Sequence, residues 1–427
     1  MMTTKTWAKL SVAAIALAAV NGEAFAGAFA IREQSSYYQG TSFAGYGTTG
    51  PSISSIFWNP ATITGAGDGI TFESHNTAII PDSEIDGTFA GVLTGSSGDI
   101  GNDAYVPATY TSYKVNEDIF LGLAVNAPFG LATKPNQNWN GQFYSRSSEI
   151  FSINVNPIAG YRISEKISVA VGLQVQYLDV TLKRANPLTP APYASITLDG
   201  DDIGFGATAG ISYKPFEGTE FGLGYRSGIA HDLDGDLNVL ANTAIEADLV
   251  TPDQVNFSFK QRINDSFRVL GTVEWTNWSR LGSPAIVSPS LGPVADLPLN
   301  YDDGWFFALG GEYDYNENLT LRAGLGYEIS PIDDDIRSTR LPDADRLWLS
   351  GGLTYAVNDN LAFDFGYTHI FVEDADINIG PGHQDYNALI GTYVGESEAH
   401  VDIISASLRY RWGGPSEDRD HDTARKY

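Results

Sequence analysis

From about residue 69 onward the chain alternates apolar and polar residues in segments of roughly ten, each closed by turn residues. "LTLRAGLGYEI" (319–329) sets Leu319, Leu321, Ala323, Leu325, Tyr327 and Ile329 against Thr320, Arg322, Gly324, Gly326 and Glu328. "LAFDFGYT" sets Leu361, Phe363, Phe365 and Tyr367 against Asp364 and Gly366. Strand side chains point alternately to opposite faces, so a period of two with one apolar face specifies strands. About fourteen such segments run to residue 412, an even number within the range of bacterial outer-membrane barrels.

The connections alternate in length. "VNED" (115–118), "ISEK" (163–166), "INDS" (263–266), "YNEN" (315–318) and "VNDN" (357–360) are tight turns. Between them fall longer acidic, Pro- and Gly-rich stretches, expected as loops over 81–104, 131–146, 184–200, 232–251, 282–301, 331–344 and 373–399. Short turns at one end and long loops at the other match the periplasmic and external ends of a membrane barrel. Tyr161, Tyr213, Trp275, Tyr313, Tyr355, Tyr410 and Trp412 stand at strand ends, where aromatic girdles belong. Closing the sheet removes edges that would otherwise aggregate. The expected fold is all-β, a transmembrane antiparallel β-barrel of about fourteen strands.

Composition agrees with this reading. Mean hydropathy is only -0.14, and no stretch beyond residue 26 approaches the ~20 apolar residues of a membrane helix. Residues 1–26 read as an export signal: Lys5 and Lys9, an apolar run from Leu10 to Val20, then Ala24-Phe25-Ala26 as the cleavage site. The mature chain is then expected to start at Gly27. The formal charge is -27, and -28 once Lys5, Lys9 and Glu23 are gone, which argues against a nucleic-acid partner. With no cysteine, thiolate metal sites and disulfides are excluded. Asp232, Asp234 and Asp236 start like a calcium loop but lack its Glu at position twelve, so no metal or other cofactor is expected. The tail 413–427 is polar and reads as disordered.

Residues 27–68 carry no strand alternation yet hold Phe29, Ile31, Tyr37, Tyr38, Phe43, Phe57 and Trp58. A linker should not be so aromatic. Such a segment needs an interior to pack against, and a barrel this wide offers its lumen. The segment is expected as an N-terminal hatch plugging the barrel of residues 69–412.

"GAFAIREQSSYYQGTSFAGYGTTGPSISSIFWNPATIT" (27–64) resembles the hatch of the FadL family of outer-membrane long-chain fatty acid transporters. "VNAPFGLATKPNQNWNGQFYSRSSEIFSINVNPIAGYRIS" (125–164) resembles that family's third and fourth strands and the loop joining them. The resemblance implies passive uptake of a long-chain fatty acid through an internal pocket and a lateral opening at a kink in the third strand. It implies Gly27, Ala28, Phe29 and Ile31 at the pocket and Asn59, Pro60 and Ala61 as the turn fixing the hatch. Pro128, which cannot donate a ladder hydrogen bond, marks Asn126, Ala127, Pro128 and Phe129 as the expected kink.

A carboxylate head group favours an arginine partner. Alternation turns Arg226, Lys260, Arg262, Arg268, Arg322 and Arg409 inward, but also Glu274, Glu328 and Asp364, so lumen charge networks account for most of them. Arg226 and Arg322 stand as head-group candidates. Within the family, TodX-like channels for aromatic hydrocarbons remain open, and a general diffusion porin is a more distant alternative that leaves the plug unexplained. Catalysis is not expected, because none of His75, His231, His369, His383, His400 and His421 sits by a nucleophile elbow. The expected surroundings are outer-membrane lipid and lipopolysaccharide, with the chain a monomer.

Overall fold

The computed structural model describes residues 27–413. The sequence-predicted export signal and the tail from residue 414 lie outside the described residues. Antiparallel ladders run once round a closed barrel of 14 strand positions. In chain order these are β1 (Ile70–Phe89), β2 (Leu93–Asp99) with β3 (Ala104–Lys114), β4 (Ile119–Asn126) with β5 (Gly130–Thr133), β6 (Ser147–Ser164) and β7 (Ile167–Ala185). Next come β8 (Ser195–Phe216), β9 (Thr219–Arg226) with β10 (Ala230–Asn238), β11 (Asn242–Val250) with β12 (Gln254–Arg262), and β13 (Phe267–Thr276). A side hairpin, β14 (Ala285–Ser288) and β15 (Gly292–Asp296), precedes β16 (Gly304–Asp314), β17 (Leu319–Ile329) and β18 (Arg346–Ala356). The wall ends with β19 (Leu361–Val372), β20 (Ala375–Ile379) and β21 (Tyr393–Trp412). β21 pairs with β1 from Tyr393 opposite Phe89 down to Trp412 opposite Ile70, which closes the cylinder.

The alternation read from sequence maps onto the two faces. Leu325, Phe365 and Leu349 point outward and are about half exposed, while their neighbours Gly324, Asp364 and Ser350 point into the lumen and are buried. Aromatics cluster at the turn end of the outer face: Tyr161, Tyr213, Tyr313, Tyr355 and Trp412 are all exposed. Apolar surface of this extent facing outward all round is the signature of a wall immersed in hydrocarbon.

Two of the expected long loops, 81–104 and 232–251, are mostly strand, and others carry strand at their ends. The ladder of β1 continues over residues 81–89 and folds back as β2, whereas 81–104 was expected to be irregular. Residues 195–200 extend β8, residues 232–250 belong mainly to the hairpin of β10 and β11, and residues 375–379 and 393–399 are strand. These extensions stand above the bilayer with water outside. They have no need of an apolar outer face, so hydrogen bonding continues where the alternation stops.

The segment 27–69 lies inside the cylinder and is buried along nearly its whole length. It has little regular structure: α1 (Ser36–Gln39) and two 3-10 turns, Ile53–Phe57 and Pro60–Gly65. Backbone N–H groups without a ladder must find other partners, and inward carboxylates of the wall supply them. Glu220 accepts from Thr49 N at 2.8 Å and Thr49 Oγ1 at 2.6 Å, and Glu73 accepts from Ile53 N at 2.9 Å and Ser52 Oγ at 2.6 Å. Tyr37 donates to Glu312 and Tyr46 to Glu274, both within the buried interior. Close approach also depends on two wall glycines. A Cβ on Gly222 would overlap the carbonyl of Gly47, and one on Gly324 the carbonyl of Thr41.

Valine at Gly222 or Gly324 adds a steric cost of at least ~1–3 kcal/mol against the seated segment. Purified G222V and G324V should still migrate as heat-modifiable barrels, while planar-bilayer conductance rises from near zero in the parent to that of an open pore. Unchanged conductance in both variants would show that the segment tolerates the intrusion.

Candidate functional site

The wall is interrupted in the third position round the barrel. β4 ends at Asn126, the ladder lapses over Ala127, Pro128 and Phe129, and β5 resumes at Gly130. The pairing of β4 with β3 stops at Thr109 opposite Val125, and β5 pairs with β6 alone. The next link upward on the β3 side is the isolated bridge of Gly101 with Thr133, beside Lys134 N donating to Ile100 O at 2.8 Å. Residues 104–108 of β3 therefore face a break in the hydrogen-bonded wall. Pro128 has no N–H to offer, and Phe129 turns its own to Ser152 Oγ at 2.9 Å instead of to β3.

The inner segment closes this break from the lumen side. Ile31 N donates to Pro128 O and Gly130 N donates to Phe29 O, each at 2.9 Å. Gln34 Nε2 bridges Ala127 O at 2.7 Å and Ile31 O at 3.0 Å. Phe29 meets Phe129 and Trp278 edge-on, with ring centroids 5.9 and 4.7 Å away. Ala30 thus forms an isolated antiparallel bridge with Phe129 across the gap, backed by an aromatic trio.

Above that trio lies a narrow apolar slot with a cavity volume of about 70 Å³. Phe29, Leu131, Ile150, Val180, Leu249 and Ile332 are among its lining residues. Its polar end carries Arg340, Gln384 and Asp385. Gln384 is held by the carbonyls of Leu299 and Ile336, both at 3.2 Å. Among the described residues the Arg340 guanidinium has neither a hydrogen bond nor an ion pair, and Asp385 near it stays beyond ion-pair distance. Burial pushes the Asp385 carboxyl above the usual carboxylate range, against the opposing pull of Arg340 and His383. An apolar slot with one uncommitted cation at its end is chemically suited to an amphiphile with an anionic head.

The sequence candidates fall in three places. Phe29 lines the slot, Ala28 packs in the same apolar cluster, and Ile31 sits in the cluster beneath. Gly27 N donates to Glu328 at 3.3 Å. Arg226 and Arg322 do not line the slot. Arg226 donates to Gln174 and to Phe57 O and stacks on the Phe57 ring at 4.2 Å. Arg322 lies between Glu312 at 3.2 Å and Asp364 at 3.8 Å, over the Tyr37 ring at 3.6 Å. Both are fastened to the seat of the inner segment. Asn59, Pro60 and Ala61 form a helix start: the Asn59 side chain caps Ala61 N and donates to Gly47 O at 2.7 Å and Ile211 O at 3.1 Å. Pro60 takes the first helical position, where no N–H is required. Arg340 escaped sequence reasoning because it stands in an irregular loop, where alternation assigns no face.

The model of the outer membrane protein transport protein family (OMPP1/FadL/TodX) matches residues 17–412. A long-chain fatty acid transport protein of Escherichia coli O6:H1 is 29% identical, over 96% of this chain and 100% of that protein. Outer membrane protein P1 of Haemophilus influenzae is 26% identical over 94% of this chain and 98% of that one. Among solved structures, a Pseudomonas aeruginosa FadL homologue superposes with a TM-score of 0.82 at 20% identity, covering 90% of this chain and 100% of its own. The Pseudomonas putida toluene transporter TodX gives 0.65 at 13% identity, covering 92% and 100%. These structures share the fold, and the family match spans the barrel, the inner segment and the broken strand together. The chain belongs to the OMPP1/FadL/TodX family of outer-membrane transport proteins.

Proposed function

We propose that this protein takes up long-chain fatty acids across the outer membrane by a passive route. The observation that carries the reading is the uncommitted Arg340 at the polar end of an otherwise apolar slot. The tail occupies the apolar walls, and the carboxylate meets the guanidinium. Residues 27–68 act as the plug that keeps the lumen closed to ions, following an export signal cleaved before Gly27. Cargo then leaves sideways at Ala127–Phe129, where the wall has no ladder to break, and its tail passes from protein to lipid without crossing water. The chain acts as a channel and not as a catalyst, as a monomer among outer-membrane lipid and lipopolysaccharide. No energy-coupling element enters this scheme: consumption of the cargo inside the cell sets the direction.

Cells lacking their own fatty acid transporter and expressing this chain should gain uptake of labelled oleate. Loss of a charge-assisted bond of about 1.5–3 kcal/mol should cut the oleate affinity of Arg340→Gln roughly tenfold or more. Toluene, which has no head group, should be unaffected by that change. Uptake of toluene without oleate would move the assignment to a channel for aromatic hydrocarbons.

Asp385 adds a pH dependence of known sign. Its ionised form repels an anionic head group, and its raised pKa means that protonation sets in at a higher pH than for an ordinary aspartate. Binding of dodecyl sulfate, charged throughout the range, should tighten from neutral pH down towards about 4. Asp385→Asn should bind as tightly at neutral pH as the parent does in acid, with the slope abolished. A slope that survives in the variant would assign it to another group.

A further inference from the structure

Beside the slot floor, four buried carboxylates share two guanidiniums. Glu33, Glu274, Glu328 and Asp343 are each no more than 5% exposed, and the cations among them are Arg32 and Arg346. Arg32 spans Glu274 at 2.6 Å and Glu328 at 3.0 Å. Arg346 pairs with Asp343 and stands 4.0 Å from Glu328. Arg337 reaches only the carbonyl of Asp343, and its charge is matched by Asp334. Both oxygens of Glu33 and Oε2 of Glu328 have no hydrogen-bond partner, and neither have Nε of Arg32 or Nε and Nη1 of Arg346, so the four acids are not met by the two guanidiniums in place. Burial also holds the Asp343 carboxyl above the usual carboxylate range even with Arg346 against it. Uncompensated buried charge of this kind is strongly destabilising.

The backbone of the inner segment runs directly into this cluster. Gly27 N lies 3.3 Å from Glu328 Oε1, and Ala28 N donates to Asp343 Oδ2 at 2.9 Å. A Cβ at residue 27 would stand 2.6 Å from Glu328 Oε1, so a larger residue there would displace that carboxylate. Ala24-Phe25-Ala26 immediately before it has the small-x-small form of an export cleavage site.

We propose that removal of the export signal supplies a third cation: the α-ammonium of Gly27, paired with Glu328 beside Asp343, reduces the charge deficit of this cluster and locks residues 28–31 across the break in the wall. An export-pathway peptidase hydrolyses the Ala26–Gly27 bond. One water is consumed, a carboxylate is left on Ala26, and the amine freed on Gly27 takes up a proton. The lock is therefore a product of processing, assembled only in the mature chain. It depends on the cleavage site and not on which cargo the slot holds.

The test uses the full mature protein purified from outer membranes. Intact mass should give a chain starting at Gly27, and a start at any other residue overturns the proposal. Acylation of the Gly27 amine by an N-hydroxysuccinimide ester, followed by mass spectrometry across pH, then reads its protonation. Folded protein should react at least tenfold more slowly than urea-unfolded protein at neutral pH. The decisive reading is the midpoint. An ammonium held by carboxylates titrates above the usual α-amino value of about 7.7–8.0, whereas an amine that is merely buried titrates below it. A midpoint at or below that value in the folded parent overturns the pairing without recourse to any variant. Glu328→Gln, if it folds, should bring the midpoint down and the rate up. If it does not fold, the parent midpoint decides alone.

Discussion

A peptide group left without a hydrogen-bond partner in hydrocarbon costs several kcal/mol, and nothing in the bilayer core can relieve it. Closure of β21 on β1 satisfies that constraint for the whole cylinder. Once the wall is closed, its outer face can be apolar throughout and its inner face is free to carry charge. The lapse of the ladder at Ala127 to Phe129 is tolerated because Phe29, Ile31 and Gln34 take up the freed backbone groups from inside and Ser152 takes another. The opening and its seal are one feature: the same bonds that make the gap affordable also hold it shut.

The inward carboxylates have a structural task that their number obscured. Glu73, Glu220, Glu274, Glu312 and Glu328 all receive donors from residues 27–53, so the lumen is a seat for an irregular peptide and not an aqueous pore lined by stray charge. The lumen arginines mostly serve these acids. Arg268 and Arg322 both pair with Glu312, which leaves it able to accept from Tyr37 as an ionised carboxylate. Arg340, which is not engaged in this way, stands outside the seat, at the slot.

Within the bilayer the fold was legible, because a strand with lipid on one side and a charged lumen on the other must alternate. The segments 302–315, 319–330 and 345–357, expected as strands from their alternation, agree with β16, β17 and β18 to within two residues at either end. Above the bilayer that contrast vanishes. Asp199 and Asp201 in β8 pair across to Asp236 and Asp234 in β10, in strands whose composition suggests only loop. The break in the wall was readable from Pro128, since a missing N–H is a property of one residue. The polar end of the slot was not. Arg340, Gln384 and Asp385 are brought together by two loops whose approach no local pattern encodes, whereas Arg226 and Arg322 attracted attention only because their strands made their direction easy to infer.

The hairpin of β10 and β11, with its neighbour β14 and β15, rises clear of the lipid on main-chain hydrogen bonds. Its shape draws little on side-chain identity, for water bathes the outer surface and the tips at Leu240 and Leu291 touch almost nothing. A region built in this way can change its chemistry while keeping its outline. Substitutions at the rim can therefore alter its surface while the broken strand and the slot below it stay as they are.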